Sequence, residues 1–302
     1  MREKKMDRVA YLYLLGAAFL WGGNWVAVRY AVREMPPLVF VTARTVLAAI
    51  VGLLLVIKLK GNWKPALKDI KLIAFLGLVG IFGFNLLQSF GLRNTTAING
   101  SLINAATPML TIVLSKMLIK EKLQLMQLMG ILISFLGVVW VATNGSWTIL
   151  RSLKFNLGDV MILIAAACWS IYSIYGKKPT LEYSAVAVTA YASLFAALYF
   201  LPLGLTQYQL KPVHSISWAG VLAVGYSVSV GVFAQIAWLK GVSLIGPSRA
   251  SIFMNLLPLS TLAFAALLLG EMITLNQLIG GVFVLGGVYF TTYSRKILKT
   301  DC

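Results

Sequence analysis

Long stretches without Asp, Glu, Lys or Arg alternate with short polar segments along the whole chain. Their lengths match the roughly 20 apolar residues that an α-helix needs to cross a bilayer. The charge-free stretches are Val9–Val28, Leu72–Leu92, Asn94–Ser115, Leu123–Leu150, Val160–Gly176, Tyr183–Leu210, Pro212–Leu239, Ala250–Gly270 and Met272–Ser294. A further stretch, Val39–Ile57, is interrupted only by Arg44. The pattern predicts an all-α integral membrane protein with ten transmembrane helices and no soluble domain.

The composition agrees with this pattern. Of the 302 residues, 59% are hydrophobic and only 12% are charged, about half the charged share of a soluble protein. A soluble fold of this size could not bury so much apolar surface. The formal net charge of +17 does not indicate nucleic acid binding, because the basic residues form short clusters between apolar runs and no continuous basic groove.

The basic residues predict the orientation of the chain. Of the 26 Lys and Arg residues, two (Arg44 and Arg249) fall within predicted helices. Six lie in segments on the side opposite the N-terminus: Arg29, Arg33, Arg93, Arg151, Lys154 and Lys211. The other 18 lie on the N-terminal side. Because positive residues are enriched in cytoplasmic loops, we expect a multi-pass protein of the plasma (inner) membrane with both termini in the cytoplasm.

The two halves of the sequence resemble each other. A shift of 150 residues gives eleven identities between Ser101 and Val138. They include the pairs Pro108/Pro258, Thr111/Thr261, Glu121/Glu271, Gln127/Gln277 and Gly130/Gly280. With a shift of 148 residues, Trp21 aligns with Trp169. Shared hydrophobicity does not readily place Pro, Glu and Gln in register, so we interpret residues 1–150 and 151–302 as two five-helix repeats.

Five is an odd number of helices, so the second repeat must enter the membrane from the opposite side. Inverted repeats of this kind are typical of secondary transporters, which bind their solute near the middle of the membrane. The fold prediction is therefore two inverted five-helix repeats.

The chain resembles the EamA-type ten-helix permeases of the drug/metabolite transporter superfamily. The resemblance is carried by Trp21-Gly22-Gly23-Asn24 with Arg29, by Pro37 with Ala43-Arg44, and by Pro108 and Pro258, each followed thirteen residues later by Glu121 or Glu271. The sixth helix departs from the first, because Ser170-Ile171-Tyr172 replaces Gly22-Gly23-Asn24. The resemblance implies a plasma-membrane permease for amino acids, other metabolites or drug-like compounds, often an exporter, and it makes each half an EamA-like repeat.

Polar and aromatic side chains within the predicted helices are candidates for a solute cavity, because polar groups in membrane helices face the bundle interior. Repeat-related pairs, such as Trp21 with Trp169 and Asn85 with Gln235, suggest that both halves surround one cavity. The predicted substrate-binding residues are Trp21, Asn24, Arg44, Asn85, Gln88, Asn104, Thr107, Trp169, Tyr172, Tyr191, Gln235, Trp238 and Asn255. Interhelical hydrogen bonding is the alternative role for each polar member.

This set predicts a neutral or zwitterionic organic solute with an apolar or aromatic part. Amides donate to carboxylates and accept from amines, while aromatic rings cover apolar surface. Arg44 could bind a substrate carboxylate or hold a backbone carbonyl or a helix end. Tyr191 occupies its repeat position, so anion binding is confined to one half.

Other function classes fit the sequence less well. The only histidine is His214, in a predicted loop, and no paired carboxylates lie within a helix, so an enzyme is not expected. We expect no cofactor and no metal site. The expected partners are the lipid bilayer and a small-molecule substrate, with no nucleic acid and with a homodimer left open. A membrane-embedded structural or assembly subunit without transport of its own is the alternative function.

The predicted topology can be tested with reporter fusions. Fusions after Lys58 and after Lys177 should report the cytoplasm, and fusions after Arg93 and after Lys211 should report the exterior. The reverse pattern would contradict the orientation.

Overall fold

A computed structural model describes residues 2–59, 64–94, 103–121, 125–143, 145–152, 156–269 and 274–297. Helices and the segments that connect them make up this part of the chain, and no strand occurs within it. The all-α prediction is confirmed. Because the bilayer interior supplies no water to pair with backbone groups, helices that close their own hydrogen bonds are the expected elements.

The first half of the chain begins with helix α1, Arg2–Glu34, and helix α2, Pro37–Leu59. Helix α3 runs as Leu67–Leu76, continues as a π-helix over Gly77–Gly83 and returns to α-helix over Phe84–Asn94. Helix α4, Thr107–Ile119, and helix α5, Leu125–Thr143, complete this half. A short helix, Trp147–Ser152, follows them.

The second half begins with helix α6, Leu157–Glu182, and helix α7, Ala185–Leu210. Helix α8 runs as Trp218–Ser229, as a π-helix over Val230–Ala234 and again as α-helix over Gln235–Ile245. Helix α9 consists of Pro247–Ser251, a 3₁₀ segment over Ile252–Leu256, and Leu257–Leu269. Helix α10 is Leu275–Ile297.

Five of the described helices are long and apolar enough to cross a membrane: Pro37–Leu59, Leu67–Gly91, Leu157–Glu182, Ala185–Leu210 and Trp218–Ile245. Shorter apolar helices are Thr107–Ile119, Leu125–Val141 and Leu275–Thr291. Large apolar side chains such as Leu54, Leu136 and Val282 are exposed on the outer surface, as a surface that faces lipid requires. The protein is therefore a multi-pass membrane protein, and the count of ten crossings stays a prediction.

Contacts between the halves occur at positions that the sequence shifts relate. The Thr111 hydroxyl of α4 donates to Ser170 Oγ of α6 at 2.9 Å. The hydroxyl of its counterpart Thr261, in α9, donates to the carbonyl of Gly22 in α1 at 3.3 Å. The π-helical segments of α3 and α8 also overlap under the 150-residue shift. These correspondences support the predicted repeat, which the structure does not by itself establish.

Small residues let the helices approach closely. A Cβ at Gly130 or Gly137 of α5 would overlap α10, and one at Gly280 or Gly287 of α10 would overlap α5. Helix association in lipid depends on such close packing, because lipid tails are as apolar as the side chains. The pairing of α5 with α10 therefore depends on glycines in both.

Adjacent glycines in α10 give a matched test of this packing. Gly287 is buried against Gly130 and Ser134, whereas a Cβ at Gly286 would meet no atom within 4 Å. Gly287→Ala should destabilise the protein by about 1–3 kcal/mol through overpacking. Gly286→Ala should be neutral or slightly stabilising, because alanine favours the helix. Melting temperatures in detergent would measure both, and equal effects would contradict the packing role.

Candidate functional site

A cavity of about 100 Å³ lies inside the bundle, between helices of both halves. Eight of the predicted site residues line it: Trp21, Asn24, Arg44, Asn85, Gln88, Asn104, Trp169 and Gln235. The lining also includes Thr45, Ser193, Ser227 and the apolar residues Val28, Ala48, Ile81, Phe84, Val230, Gly231, Met254 and Leu257. The cavity thus combines amides, one guanidinium and aromatic rings.

The cavity lies toward one end of the helix bundle. Val28 lies six positions before the α1 end at Glu34, and Gln88 lies six positions before the α3 end at Asn94, about 9 Å at 1.5 Å per residue. In the other direction, Trp169 lies thirteen positions before the α6 end at Glu182, about 20 Å. We call the side of Glu34 the cavity half and the side of Glu182 the filled half.

Trp21 and Trp169 form the floor of the cavity, and Trp238 packs beneath them. The ring centroids of Trp21 and Trp169 are 5.1 Å apart at an interplanar angle of 86°. Trp238 lies 5.4 Å from Trp21 and 5.8 Å from Trp169, and its Nε1 donates to Ser173 Oγ at 2.9 Å. We call these residues the tryptophan cluster. Because Trp238 is only 1% exposed, the cluster presents Trp21 and Trp169 to the cavity and separates it from the filled half.

Among the described residues that line the cavity, Arg44 of α2 is the one with a charged side chain. Its Nη2 donates to Asn85 Oδ1 of α3, and its guanidinium carbon lies 5.9 Å from the centre of the Phe40 ring. The Asn85 Nδ2 in turn donates to the Ile81 carbonyl at 2.5 Å. Within the part of the chain that the structure describes, Arg44 has no carboxylate partner. The arginine is therefore held by an amide and a ring and keeps its positive charge unneutralised.

Buried polar atoms without partners also belong to cavity-lining residues. The Asn24 Oδ1, the Ser227 Oγ and the Trp169 Nε1 have no hydrogen-bond partner among the described residues. Buried polar groups in proteins are usually hydrogen-bonded, and each one left unpaired costs free energy. An acceptor, a hydroxyl and a donor of lining residues are therefore left without a partner next to the cavity.

The filled half is closed by apolar packing and by contacts at its edge. Leu14, Leu239 and Val242 are fully buried there. At the edge, the Ser248 hydroxyl of α9 donates to Glu121 Oε2, beyond α4, at 2.7 Å. Arg249 donates to the Tyr11 hydroxyl at 3.2 Å and lies 3.9 Å from Asp7 Oδ2. Glu121 therefore joins α4 to α9, and Glu271, its repeat counterpart, lies outside the described residues.

Five of the predicted site residues do not line the cavity. The Thr107 hydroxyl donates to the Asn104 carbonyl at 2.5 Å, and the Asn255 Nδ2 donates to Ser134 Oγ at 3.0 Å. Tyr172 is fully buried against Trp169. Tyr191 packs at the edge of the main core, and Trp238 lies beneath the floor. In this structure these residues support the cavity wall or the helix contacts behind it.

Three hydroxyls that sequence reasoning missed line the cavity: Thr45, Ser193 and Ser227. Thr45 follows Arg44 directly, and its own hydroxyl donates to the Val41 carbonyl at 2.6 Å. Hydroxyls are common throughout these helices and bond readily to the preceding turn. Composition alone could not distinguish these three from the rest.

Thiol labelling in detergent would test which half contains the cavity. In a background without Cys168 and Cys302, Gln88→Cys should react with a polar maleimide at least about tenfold faster than Val242→Cys, because thiol reactivity requires access. Val242→Cys should react only after denaturation, which serves as the control for the presence of its thiol. Faster labelling at Val242 than at Gln88 would contradict the assignment of the two halves.

Comparisons with known proteins agree on the class of protein. The model of the EamA-like transporter family matches residues 8–143 and 156–293. The uncharacterized transporter YyaM of Bacillus subtilis (strain 168) is 32% identical over 96% of this chain and 95% of its own. A probable amino-acid metabolite efflux pump of Salmonella typhimurium (strain LT2) is 27% identical over 98% of each chain.

A solved crystal structure with 17% sequence identity covers 94% of this chain and 95% of its own, with a TM-score of 0.77. At that identity the match shows the fold alone. The family match covers most of the chain in two stretches, and the relatives align along nearly their whole length. The chain is thus a membrane transporter and belongs to the EamA-like transporter family.

Proposed function

We propose that this protein is a secondary transporter that exports small organic metabolites, such as amino acids or drug-like compounds, across the plasma membrane. The observation that carries the proposal is the cavity above the tryptophan cluster, lined by both halves of the chain. A solute that enters from one side meets a polar wall and an aromatic floor. The solute cannot pass the floor until the filled half rearranges. A site that is open to one side and closed to the other is what alternating access requires.

With both termini in the cytoplasm, as predicted, the cavity half faces the exterior and the filled half faces the cytoplasm. Alternating access exposes such a cavity to each side in turn, in importers and exporters alike. The proposed direction therefore rests on the printed name of the Salmonella relative, a probable amino-acid metabolite efflux pump, which also favours the proposed substrate class.

The lining supports a neutral or zwitterionic solute with an apolar part. Asn24, Gln88, Asn104 and Gln235 supply amides that both donate and accept, and the rings of the floor cover apolar surface. A dedicated diamine carrier would need acidic groups at the cavity, and none of the described lining residues is acidic. A phosphate carrier would need several convergent cations, and the described lining supplies one, Arg44.

Transport by the purified protein in liposomes would test the proposal. Uptake should be robust for an aromatic or an aliphatic amino acid and weak for a diamine or a sugar phosphate. Asn104→Ala and Trp169→Ala should each lower the uptake rate about threefold to tenfold, the effect of one lost hydrogen bond or aromatic contact. Asn104→Ala should leave the folded yield largely unchanged. Trp169→Ala removes a buried ring from the core, so its uptake is compared per amount of folded protein.

Trp147→Ala is the matched control, because Trp147 is exposed on the short helix away from the cavity. Its uptake should equal that of the unmodified protein. Uptake of only the diamine or the phosphate, with no effect of either cavity substitution, would contradict the proposal. A structural subunit without transport of its own would move none of these solutes.

A further inference from the structure

Arg44 is a cation within an apolar span, and no carboxylate pairs with it in the part of the chain that the structure describes. A charged side chain inside a membrane protein is costly and is normally paired with an opposite charge or placed at a functional site. Since no described carboxylate pairs with Arg44, the second role fits this residue.

The surroundings of Arg44 fix its position and leave donors available. Asn85 Oδ1 accepts one hydrogen bond from Arg44 Nη2, and the guanidinium lies over the Phe40 ring in a cation–π contact. The Asn85 side chain is itself fixed, because its Nδ2 donates to Ile81 one turn earlier. A guanidinium carries five N–H donors in a planar fork, which matches the two oxygens of a carboxylate. Asn85 is its one hydrogen-bond partner within the described chain, so most of the fork is free.

Two other residues of the cavity lining carry oxygen acceptors. The Asn24 Oδ1 of α1 and the Ser227 Oγ of α8 are buried and have no hydrogen-bond partner among the described residues. An ammonium group donates to oxygens of this type. A solute that carries both a carboxylate and an ammonium adds no net charge to the cavity and can satisfy both sets of groups.

We propose that Arg44, held in place by Asn85, binds the carboxylate of the transported solute and makes that carboxylate the feature that the cavity selects. Asn24 and Ser227 receive the ammonium group of the same solute. Asn85 acts as a positioning residue for the guanidinium. The inference rests on the proposed transport function and narrows its substrates to zwitterionic monocarboxylates.

Three related probes would test the inference in proteoliposomes: L-phenylalanine, its carboxamide and 3-phenylpropanoate. The unmodified protein should transport phenylalanine at least about tenfold faster than the carboxamide, because the carboxamide cannot form the charge-assisted pair. Transport of 3-phenylpropanoate should fall between the two, because it keeps the carboxylate and lacks the ammonium. This comparison requires no substitution, so it holds even if a variant fails to fold.

Arg44→Gln should bring the ratio of phenylalanine to carboxamide transport close to one, and Arg44→Lys should keep part of the preference. Asn85→Ala should raise the KM for phenylalanine by a larger factor than the KM for the carboxamide, a difference that general damage to the fold would not produce. Arg151→Gln is the matched control, because it removes the same charge from an exposed position on the short helix. Its ratio should equal that of the unmodified protein.

The outcomes distinguish failure of the Arg44 inference from failure of the proposed transport function. Equal transport of phenylalanine and its carboxamide by the unmodified protein would overturn the inference and leave the transport function standing. A preference that survives Arg44→Gln in folded protein would do the same. If the unmodified protein moves other organic solutes and no amino acid, the inference alone is overturned. If it moves no organic solute at all, the proposed function fails and the inference fails with it.

Discussion

Water is absent from the interior of a bilayer, so every backbone N–H and C=O in a membrane span must find its partner within the protein. Because of this constraint the spans form long helices, such as α2 and α7. The lack of water also determines how these helices pack against each other. Helices in lipid gain little from hiding apolar surface, and they associate where small residues let their backbones approach. The glycines at 137 and 280 provide such a contact between α5 and α10. The same constraint turns polar side chains inward, where they form the wall of the cavity.

Much of the fold could be predicted because the bilayer imposes a simple rule on sequence. Charge-free runs of about 20 residues predicted helices throughout the part of the chain that the structure describes, and the structure places helices there. The segments where an α-helix changes to another helix type were less predictable. Nothing in the local composition indicated π-helical segments at Gly77–Gly83 and Val230–Ala234, because such segments depend on how the neighbouring helices pack.

The cavity lining was predicted in part from helical spacing, and substrate binding by these residues stays a prediction. The residues that lie elsewhere differ from the lining residues in depth rather than in helix face. Helical spacing puts Gln88 on the face of Asn85 and Trp238 on the face of Gln235. Helix α3 runs toward the cavity half, whereas α8 runs away from it. Three residues after Asn85, Gln88 therefore lines the cavity, and three residues after Gln235, Trp238 lies beneath the cavity floor. Asn255 lies in a 3₁₀ segment, where the spacing used for an α-helix no longer applies.

Two kinds of contact keep the filled half closed, and they differ in how they respond to temperature. The pair of Arg249 with Asp7 lies at the edge, where partly exposed charges of this kind contribute only about 0–1 kcal/mol. The resistance to opening therefore comes mainly from buried apolar residues such as Leu14 and Leu239. Exposing apolar surface to water raises the heat capacity, and the free-energy cost of that exposure falls on cooling. Opening of this half should thus have a curved dependence on temperature, with the open form favoured in the cold.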